Sequence, residues 1–133
     1  MYYPIVIERG SDTHAWGVIV PDLPGCFSAG DSLEEAIINT NEAVALWISD
    51  AIERGEIVPD PLSIEVHHAN PEWHNWIWAV VDVDLSRLAD KAERINITLP
   101  SRLLARVDAR ARKNGDTRSG FLARAAMNAL AHA

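Results

Sequence analysis

The 133-residue chain reads as an α+β protein: a small sheet carrying one long helix, then a strand and two helices. Three observations predict it. Segments with strand chemistry flank a single long amphipathic stretch, giving the order β-β-β-α-β-β over residues 1–85. Residues 93–99, Glu-Arg-Ile-Asn-Ile-Thr-Leu, alternate strictly, with Ile95, Ile97 and Leu99 on one side and Arg94, Asn96 and Thr98 on the other, the period of a half-buried strand. The charge also changes sign between these parts. In residues 1–90 three Arg stand against sixteen Asp and Glu, a balance of −13. In residues 91–133 nine Lys and Arg stand against three acids, a balance of +6, so a net charge of −7 hides two parts suited to different partners. The division expected is an acidic α+β domain over 1–85, a polar linker over 86–92, and a basic strand-helix-helix domain over 93–133.

Taken in order, Tyr2–Glu8 is rich in Tyr, Ile and Val and predicts a strand. Gly10, Ser11 and Asp12 make a turn, and residues 14–20 form the second strand of a hairpin. Pro21-Asp22-Leu23-Pro24-Gly25 is a rigid turn, and residues 26–29 make a short third strand. Ser32 and Glu35 have the spacing of a capping box, opening a helix of about six turns. Its apolar residues (Leu33, Ala36, Ile37, Thr40, Val44, Trp47, Ile48, Ala51) recur at helical intervals, and Arg54-Gly55 closes it. Pro59 and Pro61 lead into an expected strand over 62–68, a loop over 69–75, and a last strand over 76–85. The near-continuous apolar character of that last strand predicts a central, covered position.

Beyond the linker, the alternating segment 93–99 stops at Pro100. A strand and two helices cannot bury enough apolar surface alone, so the strand is expected to pair with a second copy of itself. Ser101–Lys113 predicts a helix with Leu103, Leu104, Val107 and Ala111 inward and Arg102, Arg106, Arg110 and Arg112 outward. Asn114-Gly115 ends it. Thr117 caps a second helix whose apolar set is Phe121, Leu122, Ala125, Ala126, Ala129 and Leu130.

Composition narrows the function. A single cysteine, Cys26, forbids an internal disulfide and suits a reducing compartment. No basic, apolar leader opens the chain, and no run approaches the ~18–20 apolar residues of a membrane span, so a cytoplasmic protein is expected. Glu8, Asp22, Asp82 and Asp84 are the acids a metal nuclease would draw on, yet no spacing groups them. His67, His68 and His74 with Cys26 are the candidate metal ligands. On a strand His67 and His68 point to opposite faces, so no metal and no cofactor is predicted. The Trp-rich stretch 73–78 lacks the basic neighbours of a base-stacking platform.

The basic end is different. A ribbon of two antiparallel strands would expose Arg94, Asn96 and Thr98, whose side chains match guanine, adenine and the thymine methyl. Thr117, Arg118, Ser119 and Gly120 open a helix, where free N–H groups and the positive end of the dipole suit a DNA phosphate. With its following helices this segment resembles the ribbon-helix-helix family, which implies a homodimer through the 93–99 strand, base reading by Arg94, Asn96 and Thr98, and phosphate binding by Thr117–Gly120. Many members carry an acidic residue where this chain has Gly120.

The front part is similar to HicB antitoxins, through Tyr3-Pro4-Ile5, the run Pro21-Asp22-Leu23-Pro24-Gly25-Cys26-Phe27-Ser28-Ala29-Gly30-Asp31-Ser32-Leu33-Glu34-Glu35-Ala36, and the long helix after it. That resemblance implies a partial ribonuclease H-like front domain without catalysis. It also implies binding of a HicA-like toxin that cleaves mRNA, and repression of the protein's own operon through operator DNA. The −13 balance fits independently, since a toxin that binds RNA needs a basic surface. The expected function is a non-enzymatic antitoxin and autorepressor with a toxin, operator DNA and a second copy as partners. The alternative is a ligand- or metal-responsive repressor. The sequence leaves open which residues face the toxin, and whether dimers pair into a tetramer.

Overall fold

The computed structural model describes residues 1–88 and 92–132. The centre of the expected linker, 89–91, lies outside the described residues. The order is β1 (Tyr2–Glu8), β2 (Trp16–Ile19), β3 (Phe27–Gly30), α1 (Leu33–Glu53), α2 (Ile64–His68), β4 (Ile77–Asp82), α3 (Ser101–Lys113) and α4 (Arg118–Ala131), with 3-10 turns at Pro71–Trp73 and Leu85–Arg87. The four strands form one antiparallel sheet in the order β3-β2-β1-β4.

β1 is central because its apolar residues are covered from both sides. Tyr3, Ile5 and Ile7 meet α1 through a core shared with Val18, Leu23, Val44 and Ile48. Each such side chain contributes roughly 1.5–3 kcal/mol on burial. α1 begins as its capping residues dictate. The Glu35 N–H donates to Ser32 Oγ at 3.1 Å, and the Glu35 carboxylate accepts the Asp31 N–H at 3.4 Å. Gly30 permits the crossing of β3 and α1, since a Cβ there would lie 2.8 Å from the Glu35 carbonyl carbon.

Three expectations are corrected, and one concerns a partner that a single chain does not contain. Residues 62–68 are not a strand. Leu62, Ile64 and Val66 alternate, but Ser63 accepts the Val66 N–H and starts α2, whose one turn directs Ile64 and His67 inward and leaves Val66 exposed. β4 is an edge strand, not a central one. Its second face carries apolar residues because Trp78 is covered by His67 of α2, with rings 6.5 Å apart and nearly parallel, and by Trp73 at 5.9 Å. Residues 93–99, expected to pair with a second copy, join no ladder among the described residues, and Ile95 is 72% and Ile97 57% exposed. A strand forms only with a hydrogen-bonded partner, which for this segment is expected to come from a second copy. On α4, Ala125, Ala126, Ala129 and Leu130 are exposed rather than inward. The face turned to the front part instead carries Gly120, Ala123, Arg124 and Met127.

Candidate functional site

Two surfaces of opposite charge are built on this frame. The acidic one is the outer side of α1. Glu34, Ile38, Glu42, Leu46 and Asp50 follow one another at i,i+4 spacing and are all exposed, Ile38 by 59% and Leu46 by 65%. No basic residue lies within Leu33–Glu53. The row alternates carboxylate and aliphatic groups, so it can meet a protein face that carries cations between apolar residues.

The basic surface is the outer side of α3, where Arg102, Arg106, Arg110, Arg112 and Lys113 are all exposed. Arg106, Arg110 and Lys113 share with Leu103, Val107 and Phe121 the lining of an open groove of about 540 Å³. Leu103, expected inward, is 46% exposed on it. The groove, the exposed Ile95 and Ile97, and the outer face of α4 are the apolar surfaces of this end that a single chain leaves uncovered.

The expected base-reading residues Arg94, Asn96 and Thr98 are exposed, and their side chains make no hydrogen bond or ion pair among the described residues. The expected phosphate-binding group is brought together at the start of α4, but it is already engaged. Thr117 Oγ1 accepts the Gly120 N–H at 2.9 Å and donates to Asp84 Oδ2 at 3.0 Å. The Thr117 N–H donates to Asp116 Oδ1 at 2.9 Å. Arg118 gives Nε and Nη2 to the two oxygens of Asp108, each at 2.8 Å. This bidentate pair holds the Asp108 carboxyl below its usual range and raises the Arg118 guanidinium. Ser119 is exposed and Gly120 buried.

Asp84, one of the acids a metal nuclease would draw on, reaches this helix start from the front part. Burial pushes its carboxyl up. The Ser86 hydroxyl and N–H, the Thr117 hydroxyl and the Arg87 charge outweigh that and hold it below the ordinary aspartate range. The other candidate acids lie apart from it. Asp22 binds His67 Nε2 at 3.0 Å and the Leu62 N–H at 3.1 Å. Asp82 accepts from the Met1 amino group at 3.1 Å, and Glu8 is exposed on β1. Among the described residues no three His, Cys, Asp or Glu gather as a metal site would require. Burial raises the Cys26 thiol to about 11, which keeps it protonated.

Arg124 was not singled out by sequence reasoning. It is buried on α4, donating from Nη2 to the Tyr3 hydroxyl at 2.6 Å and from Nη1 to Asp60 Oδ1 at 2.7 Å and the Val58 carbonyl at 3.4 Å. One signal was present. Gly120 and Arg124 share an i,i+4 face of α4, where a side chain-free residue beside a long cation marks close packing with a polar anchor.

Comparison with known proteins extends over this whole arrangement. A family model described as the HicB-like antitoxin of bacterial toxin-antitoxin systems matches residues 3–126. A 14.9 kDa protein from the rep-hol intergenic region of Haemophilus phage HP1 is 46% identical over 132 residues, covering 98% of both chains. The crystal structure of the Burkholderia pseudomallei antitoxin HicB superposes with a TM-score of 0.72 at 44% identity, over 98% of each chain. A chain of the HicA3 and HicB3 toxin-antitoxin complex superposes with a TM-score of 0.54 at 28% identity; 63% of the present chain covers 99% of that one. No described helix is long and apolar enough to cross a membrane.

Proposed function

This chain belongs to the HicB-like antitoxins of bacterial toxin-antitoxin systems, and from that premise we propose that it joins two binding activities and no catalytic one. Residues 1–85 bind and occlude a basic, HicA-like toxin that cleaves mRNA. Residues 93–133 bind operator DNA as a ribbon-helix-helix homodimer and repress the operon. The observation that carries this reading is the separation of charge onto two faces, the acid-aliphatic row of α1 and the arginine side of α3. A protein domain at −13 attracts a basic toxin and repels DNA, whereas the +6 end does the reverse. The chain of the HicA3–HicB3 complex that this protein resembles spans a length matched by 63% of it, in keeping with a toxin-binding part smaller than the whole.

The exposed Ile95 and Ile97 support the dimer. An antiparallel pair of 93–99 strands would satisfy their backbone groups, and would place the Ile side chains over the groove of Leu103, Val107 and Phe121. The opposite face would then present Arg94, Asn96 and Thr98 twice, related by a twofold axis, to a pseudo-palindromic site. A metal- or ligand-responsive repressor has weaker support, because the candidate metal ligands are dispersed.

The test is co-expression of the full chain with the small open reading frame beside its gene. That product should arrest growth alone and be harmless with this protein present, and the two should co-purify. Equal toxicity with and without it overturns the neutralising role. Binding of the purified chain to duplex DNA from upstream of its own coding sequence, tighter than to a random duplex, tests the repressor role.

A further inference from the structure

The helix start that the reading above assigns to a DNA phosphate is filled from within the chain. Asp84 Oδ2 takes the Thr117 hydroxyl at 3.0 Å, and a Cβ on Gly120 would meet Asp116 Oδ1 and lie 2.9 Å from Asp84 Oδ1. Two carboxylates therefore rest against the first turn of α4. Asp84 is not needed to complete the helix, because Thr117 Oγ1 already accepts the Gly120 N–H at 2.9 Å. Asp84 follows β4 and is fixed by the Ser86 N–H at 2.9 Å, so it approaches α4 from the front part.

The same face of α4 is clamped further along. Arg124 reaches Tyr3 of β1 and Asp60, while Ala123 and Met127 pack on the front core. Gly120 and Arg124 lie on one i,i+4 face, so a helix seated by Arg124 necessarily offers its start to Asp84. A carboxylate and a phosphodiester compete for one hydroxyl and one positive helix end, and their like charges exclude joint occupancy.

We propose that this contact is an autoinhibitory latch: with α4 docked on the front part, Asp84 stands where a DNA phosphate would bind, and DNA binding requires Asp84 and the Arg124 clamp to release. The inference rests on the DNA-binding reading of 93–133 and adds that docked and DNA-bound states exclude one another. Whatever favours docking weakens DNA binding, and DNA reciprocally loosens the front part from α4.

The experiment uses the full chain, titrated by fluorescence anisotropy onto its upstream duplex and a random duplex of equal length. Asp84→Asn should tighten binding to both by at least about fivefold without sharpening sequence preference. Arg124→Met, which breaks the clamp without touching the helix start, should act in the same direction. Unchanged or weakened binding in both variants overturns the latch while leaving DNA binding standing. No binding by wild type or either variant overturns the DNA reading and the latch with it. Hydrogen exchange on the wild-type protein serves independently of how the variants fold. Adding DNA should lower protection of the peptides spanning 58–60 and 84–88, and unchanged or raised protection there overturns the latch.

Discussion

Arg124 of α4 donates to the Tyr3 hydroxyl of β1 at 2.6 Å, and that hydroxyl donates onward to the Pro59 carbonyl at 2.7 Å. One phenol thus ties together the first strand, the segment after α1 and the last helix. Burial raises the Tyr3 phenol, against a smaller lowering by Arg124, so it stays protonated and keeps its role as donor to Pro59. Asp60 is largely exposed, so its pairing with Arg124 is screened and the buried neutral acceptors carry more of the bond's worth.

A double-mutant cycle checks this relationship. Tyr3→Phe and Arg124→Met should each cost about 1–2 kcal/mol in urea unfolding. Their effects should fall short of additivity by at least about 0.5 kcal/mol. Strict additivity would mean that the two side chains do not meet in solution.

Asp84 supplies a pH dependence with a definite sign. Its folded carboxyl titrates below its ordinary value, so its contribution is full above about pH 3.9 and is lost as pH falls from there through the folded value. Asp84→Asn should therefore flatten the acid limb of stability below about pH 4 and leave the slope between about pH 6 and 8 as it was. Urea unfolding midpoints across that range decide it. An acid limb as steep as wild type would show that Asp84 titrates alike folded and unfolded.

The exposed isoleucines predict an association defect. Ile97→Asp buries a charge at each side of a twofold seam, and each Ile lost there forgoes roughly 1.5–3 kcal/mol of burial. Sedimentation equilibrium should find wild type as a dimer and Ile97→Asp as a monomer. Its front part should still melt cooperatively, since Ile97 stands outside the front core. A dimer that survives the substitution would place the interface elsewhere.

The elements that could be read from the sequence are those specified locally. Ser32 with Glu35, Thr117 with Gly120 and the Tyr, Ile and Val content of Tyr2–Glu8 each act within a turn or a strand, and each forms as its chemistry requires. Those that could not be read depend on distant partners. β4 looked central because Trp78 is apolar on its second face, and the cause, the imidazole of His67, is supplied by a different element. Residues 62–68 kept strand alternation, but Ser63 capping outweighed it over one short turn. At the basic end Thr117–Gly120 was recognisable as a helix start, yet its occupant Asp84 comes from 33 positions away in the chain and nothing local announces it.

Base reading and phosphate holding separate by their salt and sequence behaviour. Arg94→Ala or Asn96→Ala should cost about 1–3 kcal/mol on the operator and relax preference at one position. Arg118→Ala should weaken all duplexes alike and reduce the salt slope by about one unit or less. The bidentate Asp108 pair makes the lower figure the expected one, because Arg118 must leave a bound carboxylate to reach a phosphate. Asp108→Asn should restore the fuller dependence. Anisotropy titrations at several salt concentrations distinguish these outcomes, and identical losses on operator and random duplex for Arg94 and Asn96 would remove them from base readout.

The acid-aliphatic row of α1 predicts which face the toxin covers. Ile38 and Leu46 are among the most exposed aliphatic residues of the front part, and Glu42 lies between them, one turn from each. Glu42→Arg reverses one charge facing a basic partner and should slow association while weakening its salt dependence, since the front part stays acidic. Leu46→Ala should chiefly quicken dissociation, because an aliphatic group enclosed between charge pairs acts late, once water has left. Both side chains point away from the core, so thermal stability should stay within about 0.5 kcal/mol of wild type. Surface plasmon resonance with the co-purified toxin separates the two rate effects. If neither substitution alters either rate, the toxin sits on another face, and the edges of the sheet at β3 and β4 become the surfaces to mutate next.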